Sequence, residues 1–309
     1  MELSKKVKIA LDETRILILG VQILLGFQLR GVFSDGYEQL PTYVRYLDGL
    51  ALGLMVCVVG LLITPGPYHR IVESGEDSAH ILRLVTVIAN LSLFPFALAL
   101  GLDVFITAGH IFGEAAGADA GIAATAVAVA FWYGFPRTRT RHTGEQERAM
   151  ISGPFDKPPS TPLDVKIEQM LTEARVVLPG AQALVGFQLA IVLTLSFEQL
   201  PGPSTIIHAA SIFLVALAVV LLMAPAAYHR IVYAGEDTQD MHRVGSILVT
   251  VATVPLALGL AGDIYVVMAK IAGSPIAGLV AGVLGLIVLI GLWHAYPLTA
   301  AYIRNRADR

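Results

Sequence analysis

Two copies of one short motif carry the side chains with the widest chemical range, Tyr68-His69-Arg70 and Tyr228-His229-Arg230. Histidine changes charge near neutral pH, arginine presents a fixed fork of donors that matches phosphate or carboxylate, and tyrosine favours the level where apolar matter meets water. Two functional readings are open. The triplets bind an anionic phospholipid or a phosphate, or they form a pH-sensitive gate in which histidine protonation alters pairing with Glu76, Asp77, Glu236 or Asp237. The structural alternative is anchoring at a membrane interface beside a capped turn.

A second set of polar residues lies inside long apolar stretches: Gln22, Gln28, Gln182 and Gln188, with Asp103 and Asp263. Ionisable and amide groups in lipid need partners, so they mark either helix contacts or a path for ions. On a helix, Arg15, Gln22 and Gly26 share one face, and Arg175, Gln182 and Gly186 repeat it; steps of seven and four residues return close to the same direction. That face is expected to point into protein, with glutamine bonding a neighbouring helix and glycine allowing close approach. Asp103 and Asp263 fall at the depth reached by Gln28 and Gln188. There they either face a water-filled vestibule that attracts cations or are hydrogen-bonded near the interface. Pro95 and Pro255 interrupt the same helices as these aspartates and are candidate hinges.

Catalysis finds no support. The chain has no P-loop, nucleophile elbow, metalloprotease helix or pair of mid-membrane acids. Its one cysteine, Cys57, permits no intrachain disulfide and is expected to be a small buried hydrophobe. No cofactor or metal is expected. A bis-histidine haem needs histidines facing each other at matched depth, whereas His80, His110, His208, His242 and His294 have no histidine counterpart in the other half.

The elements that must position these residues follow from composition. The 309 residues are 55% hydrophobic and 15% charged, with a mean hydropathy of +0.70, against roughly 25% charged in a soluble domain. Such a chain needs lipid to cover it. A net charge of -3, with cations scattered at helix ends, excludes nucleic acid as a partner. A bilayer core about 30 Å thick takes about 20 apolar residues in a helix. Eight segments meet this: 15–33, 43–64, 82–108, 118–136, 175–196, 205–224, 242–270 and 276–297. No alternating strand pattern appears, so the fold class is an all-α integral membrane protein of eight transmembrane helices.

Shifted by 160 residues, the chain falls into register with itself. Gly20, Gln22, Gly26 and Phe27 meet Gly180, Gln182, Gly186 and Phe187, and Glu38-Gln39-Leu40-Pro41 meets Glu198-Gln199-Leu200-Pro201. Tyr68-His69-Arg70-Ile71-Val72 meets Tyr228-His229-Arg230-Ile231-Val232, and Pro95 and Asp103 meet Pro255 and Asp263. Toward the end the shift becomes 161, where Trp132 and Pro136 meet Trp293 and Pro297. The chain is a tandem duplication of a four-helix unit. We divide it into a first unit at 1–136, a cytoplasmic linker at 137–166 rich in Arg, Pro and Gly, and a second unit at 167–309.

All 21 lysines and arginines except Arg30, Arg45 and Lys270 fall on one side of the eight expected spans. Cations accumulate in the cytoplasm, so both termini, the linker and the Tyr-His-Arg segments are expected there. Units with an even number of spans enter from the same side, so the repeats are expected to be parallel and related by a pseudo-twofold axis along the membrane normal. Arg45 and Asp48 are spaced to pair along their helix, although Thr205 and His208 replace them in the second half.

Each half resembles a bacterial family of four-span membrane proteins classed as a domain of unknown function, with the Pro-x-x-Tyr-His-Arg segment as the most specific point of likeness. The resemblance implies four spans per copy and a bacterial inner-membrane location, and it lends no activity. From the residues, the leading expectation is passage or sensing of a small ion or solute. The competing one is a scaffold or regulatory subunit that contacts lipid, an anionic phospholipid among the candidates, or an unknown protein partner. A membrane redox protein stands third.

Overall fold

The computed structural model describes residues 3–134 and 161–307, and every regular element among them is helical. The first repeat contains α1 (Leu3–Gly31), a 3-10 turn (Tyr37–Gln39), α2 (Thr42–Ile63), α3 (Pro65–Ile71), α4 (Ala79–Phe112) and α5 (Glu114–Val129), which continues into a π turn (Ala130–Gly134). The second contains α6 (Leu163–Val192), α7 (Leu195–Glu198), α8 (Gly202–Ile231), α9 (Gln239–Ala272), α10 (Pro275–Ile290), a second π turn (Gly291–Ala295) and α11 (Tyr296–Ala307). The basic and proline-rich parts of the expected linker, Arg137 to Ser160, lie outside the described residues. Leu163 to Lys166, expected in the linker, already form the first turn of α6.

Among the described residues, seven helical stretches are long and apolar enough to cross a membrane: Thr42–Ile71, Ala79–Phe112, Glu114–Gly134, Leu163–Val192, Gly202–Ile231, Gln239–Ala272 and Pro275–Arg306. Eight were expected. The missing one is α1, whose apolar run is diluted by Arg15, Gln22, Gln28 and Arg30.

The two repeats use the same local devices. After the Tyr-His-Arg helices the chain turns through Ser74-Gly75 and Ala234-Gly235, all four at positive φ. That conformation is easy for glycine and strained for alanine. The amides of Gly75 and Gly235 donate to the carbonyls of His69 and His229 at 3.0 and 2.8 Å. Ser78 and Thr238 then cap α4 and α9 by accepting from the amides of Ile81 and Met241, both at 3.1 Å. Both long helices run on through Pro95 and Pro255. Within each repeat, α5 and α10 lie close against α4 and α9. A Cβ at Gly117 would come within 2.7 Å of the Gly109 Cα, and one at Gly278 within 2.5 Å of the Tyr265 carbonyl. These glycines are 161 residues apart and each opens a small-xxx-small stretch, Gly117 to Gly121 and Gly278 to Gly282.

Between the repeats, α1 and α6 lie side by side. Lys8 Nζ donates to Glu168 Oε1 at 2.9 Å near one end, and the rings of Phe27 and Phe187 stand 4.5 Å apart toward the other. Both are pairs of equivalent residues, so the two helices run parallel and in register. A twofold relation further requires every contact to be reciprocal, and here the expectation fails. The first repeat's α2 packs on α9 and α10, and α3 packs on α11, but α8 makes no comparable contact with α4 or α5. Consequently α2 and α9 are central, with 61% and 56% of their apolar windows buried, while their equivalents α8 and α4 reach 28% and 33%.

Two residues account for much of this asymmetry. Gly66 leaves a notch for Glu173, whose carboxylate would lie 2.0 Å from a Cβ at that position; the equivalent residue is Ala226. Trp293 is fully buried and donates from Nε1 to the Gly60 carbonyl of α2 at 2.9 Å. Its equivalent, Trp132, stacks within its own repeat on Phe96 at 5.4 Å. The Gly60 carbonyl is available because Pro65 interrupts the helix there, and the Thr64 amide turns to Leu61 instead. Cys57 was expected to be buried and is exposed on α2, since that helix turns other residues toward its neighbours.

Candidate functional site: a polar joint between the repeats

The first Tyr-His-Arg segment is built into the boundary between the repeats. Arg70 forms an ion pair with Glu173 of α6, the two side chains being 5% and 14% exposed, and its Nε donates to Thr250 Oγ1 of α9 at 3.0 Å. Its remaining nitrogen, Nη2, is buried without a hydrogen-bond partner. Tyr68 stacks on Tyr296 of the second repeat at 5.4 Å and shares a hydrogen bond of 2.7 Å with His80 Nε2. His69 Nε2 lies 3.2 Å from the Glu76 carbonyl and 3.8 Å from Asp77 Oδ1. A carbonyl only accepts, so this nitrogen carries the proton.

The turn after these residues is clamped by the start of the second repeat. The Asp77 amide donates to Thr161 Oγ1 at 2.9 Å, the Thr161 amide donates to Glu76 Oε2 at 2.6 Å, and Lys166 pairs with Glu76. Ser4 Oγ and Gln169 Nε2 both donate to the Asp77 carboxylate, at 2.6 and 3.2 Å. Burial on its own would raise the Glu76 carboxyl, but the bonds from Lys166 and Thr161 outweigh it and hold the group below the usual glutamate range. Arg15 lies across the same boundary, donating to the Gln169 carbonyl at 3.0 Å and to Asp12 at 2.6 Å. On α11, Arg304 reaches back to Glu73 at 2.8 Å.

These groups surround a cavity of about 30 Å³, room for a water or an ion of similar size. Arg15, His69, Arg70, Lys166, Glu173 and His242 supply its charged and titratable walls. Gln169 also lines it, with an Oε1 that has no partner. Arg70 and Gln169, both lining residues, thus each keep one buried polar atom without a partner, Nη2 and Oε1.

The second triplet is placed differently. His229 Nε2 stands 3.4 Å from Asp237 Oδ1, so the histidine–aspartate pairing recurs, but Tyr228, Arg230 and the turn at 234–237 are exposed. The two triplets therefore share their local geometry and differ in their surroundings.

The intramembrane candidates separate into a second region. Gln28 Nε2 donates to both oxygens of Asp103 at 3.0 and 2.9 Å, and Gln188 Nε2 donates to Asp263 Oδ2 at 2.6 Å. In the second repeat His208 joins in, with Nδ1 3.5 Å from Asp263 Oδ1 and Nε2 3.2 Å from the Gln188 carbonyl. Asp263 is buried, which fits the hydrogen-bonded reading better than an open vestibule. Gln22 is buried over Gly180, while Gln182, expected to point into protein like Gln22, is exposed. The departure follows from the non-reciprocal packing, which covers that face on α1 alone. None of Gln22, Asp103, Gln182 and Asp263 lines the cavity.

Several partners were not legible as such. Asp48 accepts from Tyr37 Oη at 2.9 Å, whereas Arg45 turns to Thr42 Oγ1 at 3.3 Å, so the helix pair expected between them is not formed. Burial and the Asp48 carboxylate push the Tyr37 hydroxyl well above the ordinary phenol range. Glu173 and Gln169 were missed as site residues, and Glu173 had no signal beyond its match with Glu13. At the far end of the bundle Lys270 bridges the repeats, donating to Glu38 at 2.9 Å.

The model of a family described as "Family of unknown function (DUF6328)" matches residues 2–136 and again 156–297. The chain belongs to this family. The two matches cover the two repeats separately, so the chain carries the family's domain twice. No curated protein and no solved structure matches it.

Proposed function

We propose that the chain is a membrane sensor or regulatory protein that binds a small anion in the joint between its repeats. Arg70 carries this reading: it lines a water-sized cavity together with Arg15, Lys166, His69 and His242, and its buried guanidinium keeps one nitrogen, Nη2, without a hydrogen-bond partner. Glu173 neutralises part of that charge and holds the guanidinium in place. An anion no larger than a halide, or the oxygen end of a phosphate, would accept from Nη2 and be favoured by the cations around it. Because the walls come from both repeats, occupancy changes how firmly they are joined, which is what a sensor needs.

In this reading α1 completes eight spans, the repeats lie parallel in a bacterial inner membrane, and the joint and both termini face the cytoplasm. The bias of Lys and Arg supports that orientation. Sensing is favoured over passage because the cavity sits at one end of the bundle, apart from the intramembrane glutamines and aspartates.

The test is thermal unfolding of the purified chain in detergent, titrated with chloride, phosphate or the bulky gluconate at constant ionic strength. Chloride or phosphate should raise the midpoint in the wild type and not in Arg70→Gln, with gluconate inert. Equal effects of all three anions would remove the proposal. Flux of cations, protons and small anions from liposomes should equal that from empty vesicles at acidic and neutral pH.

A further inference from the structure

In the joint between the repeats, a face of α1 carrying Arg15, Gln22 and Gly26 lies on a face of α6 carrying Gln169, Gly180 and Phe187. The fit is close. A Cβ at Gly180 would meet the Gln22 amide oxygen at 1.7 Å, and one at Gly26 would meet the Phe187 ring at 2.2 Å. Each face has an equivalent in the other repeat. The equivalent of the first is Arg175, Gln182 and Gly186 on α6, and that of the second is Ile9, Gly20 and Phe27 on α1. All six of these residues are exposed, and a Cβ at Gly20 or Gly186 would meet nothing within 4 Å.

The chain therefore uses one half of each face pair internally and leaves the complementary halves open. One of the open halves places the Gln182 amide on an exposed surface in the middle of an apolar helix, where lipid offers no hydrogen-bond partner. The charges repeat the pattern. Arg230 and Glu13, the equivalents of the Arg70–Glu173 pair, are both exposed, and so is Asn90, the equivalent of the Thr250 that binds Arg70.

We propose that the chain self-associates by repeating its internal interface, the α6 and α8 side of one copy docking on the α1 and α4 side of the next. Gln182 then lies over Gly20, Phe27 lies over Gly186, and Arg230 meets Glu13 and Asn90 across the boundary. Ala209 and Val220 of α8, the exposed equivalents of Gly49 and Gly60, cover Ile111 of α4 and Val127 of α5, the exposed equivalents of Ile271 and Val288. A non-reciprocal interface of this kind propagates until it closes into a ring. The new joint differs from the internal one in detail. Ala226 stands for Gly66, setting Glu13 slightly further out, and Ile9 and Leu82 stand for Gln169 and His242, so the boundary between copies lacks the polar cavity. The proposal does not depend on anion binding.

The test uses the full chain in membranes with Cys57→Ser, adding Gly20→Cys, Gln182→Cys or both, followed by mild oxidation. The pair should give disulfide-linked species of two or more chains, with each single cysteine remaining monomeric. Arg230→Glu should lower the linked fraction several-fold, and Glu13→Arg added to it should restore the fraction. Native mass spectrometry of the unaltered chain should show an oligomer. A monomer carrying lipid, no linkage in the pair, or linkage through a single cysteine would each overturn the proposal, the last because it means equivalent faces meet.

Discussion

Removing the Glu173 carboxylate tests whether charge holds the joint. With side chains only 5% and 14% exposed, Arg70 and Glu173 are poorly screened by solvent. Taking one partner from such a buried pair costs about 3–5 kcal/mol, because the survivor is an uncompensated charge out of water. Glu173→Gln keeps an acceptor beside Arg70 and should fall at the low end, about 3 kcal/mol; Arg70→Met strands the carboxylate and should cost about 4 kcal/mol. The double variant Arg70→Met/Glu173→Gln combines the two and leaves no stranded charge, so it should cost less than either single change. The coupling between the two sites is then at least about 4 kcal/mol. Trp293 is a suitable reporter, being buried in the same boundary. In a Trp132→Phe background its fluorescence follows separation of the repeats during denaturant unfolding in micelles. Single changes costing under about 1 kcal/mol, as at an exposed ion pair, or a double change equal to the sum of the singles, would refute the reasoning.

Trp293→Phe keeps most of the ring but leaves the Gly60 carbonyl with Thr64 as its one donor, so a loss of about 1 kcal/mol is expected, read by circular dichroism on thermal unfolding. Gly278→Leu should separate α10 from α9 and destabilise the second repeat strongly, whereas the same change at the open position Gly186 should leave the folded monomer intact; limited proteolysis distinguishes them. Asp263→Ala should destabilise more than Asp103→Ala, since it strands both Gln188 and His208 in a buried site. The lowered Glu76 carboxyl gives a pH dependence of definite sign. A carboxylate depressed in the folded state contributes stability above its unfolded value, about 4.3, and loses it as pH falls through the folded value. The wild type should lose stability on that acid limb, and Glu76→Gln should flatten it; the effect is small because the side chain is 39% exposed. An unchanged acid limb in Glu76→Gln would count against the clamp.

The duplication was legible because identical residues at a fixed step need no structural knowledge, the helices were legible from their apolar runs, and the two together gave the depth at which Gln28 meets Asp103; that α1 and α6 lie side by side was not legible. The same reading assumed that equivalent residues have equivalent surroundings, and this is where it failed. Gln182 copies Gln22 and Arg230 copies Arg70, yet each is exposed where its partner is buried. Single-residue differences such as Gly66 against Ala226 decide which copy admits a neighbour, and their effect appears only when the helices are packed. The joint itself was half visible. Arg70 and His69 stood out by type, but Glu173, Gln169 and Thr161 join them from a distance in sequence that no local pattern encodes. The seven clear spans and the weaker α1 follow from one cause. A helix that spends its polar residues on contacts with protein looks less like a membrane span than those that face lipid.

The most direct test of two parallel repeats joined along α1 and α6 is a pair of intrachain cross-links in a Cys57→Ser background. Lys8→Cys with Glu168→Cys, and Phe27→Cys with Phe187→Cys, replace equivalent residues that touch toward opposite ends of the helix pair. After the chain is cut between the repeats by an introduced protease site, both oxidised variants should keep the halves covalently joined, and the mixed pair Lys8→Cys with Phe187→Cys should not. Cross-linking of the mixed pair in place of the two matched pairs would mean that the helices run in opposite directions, and the account would be wrong.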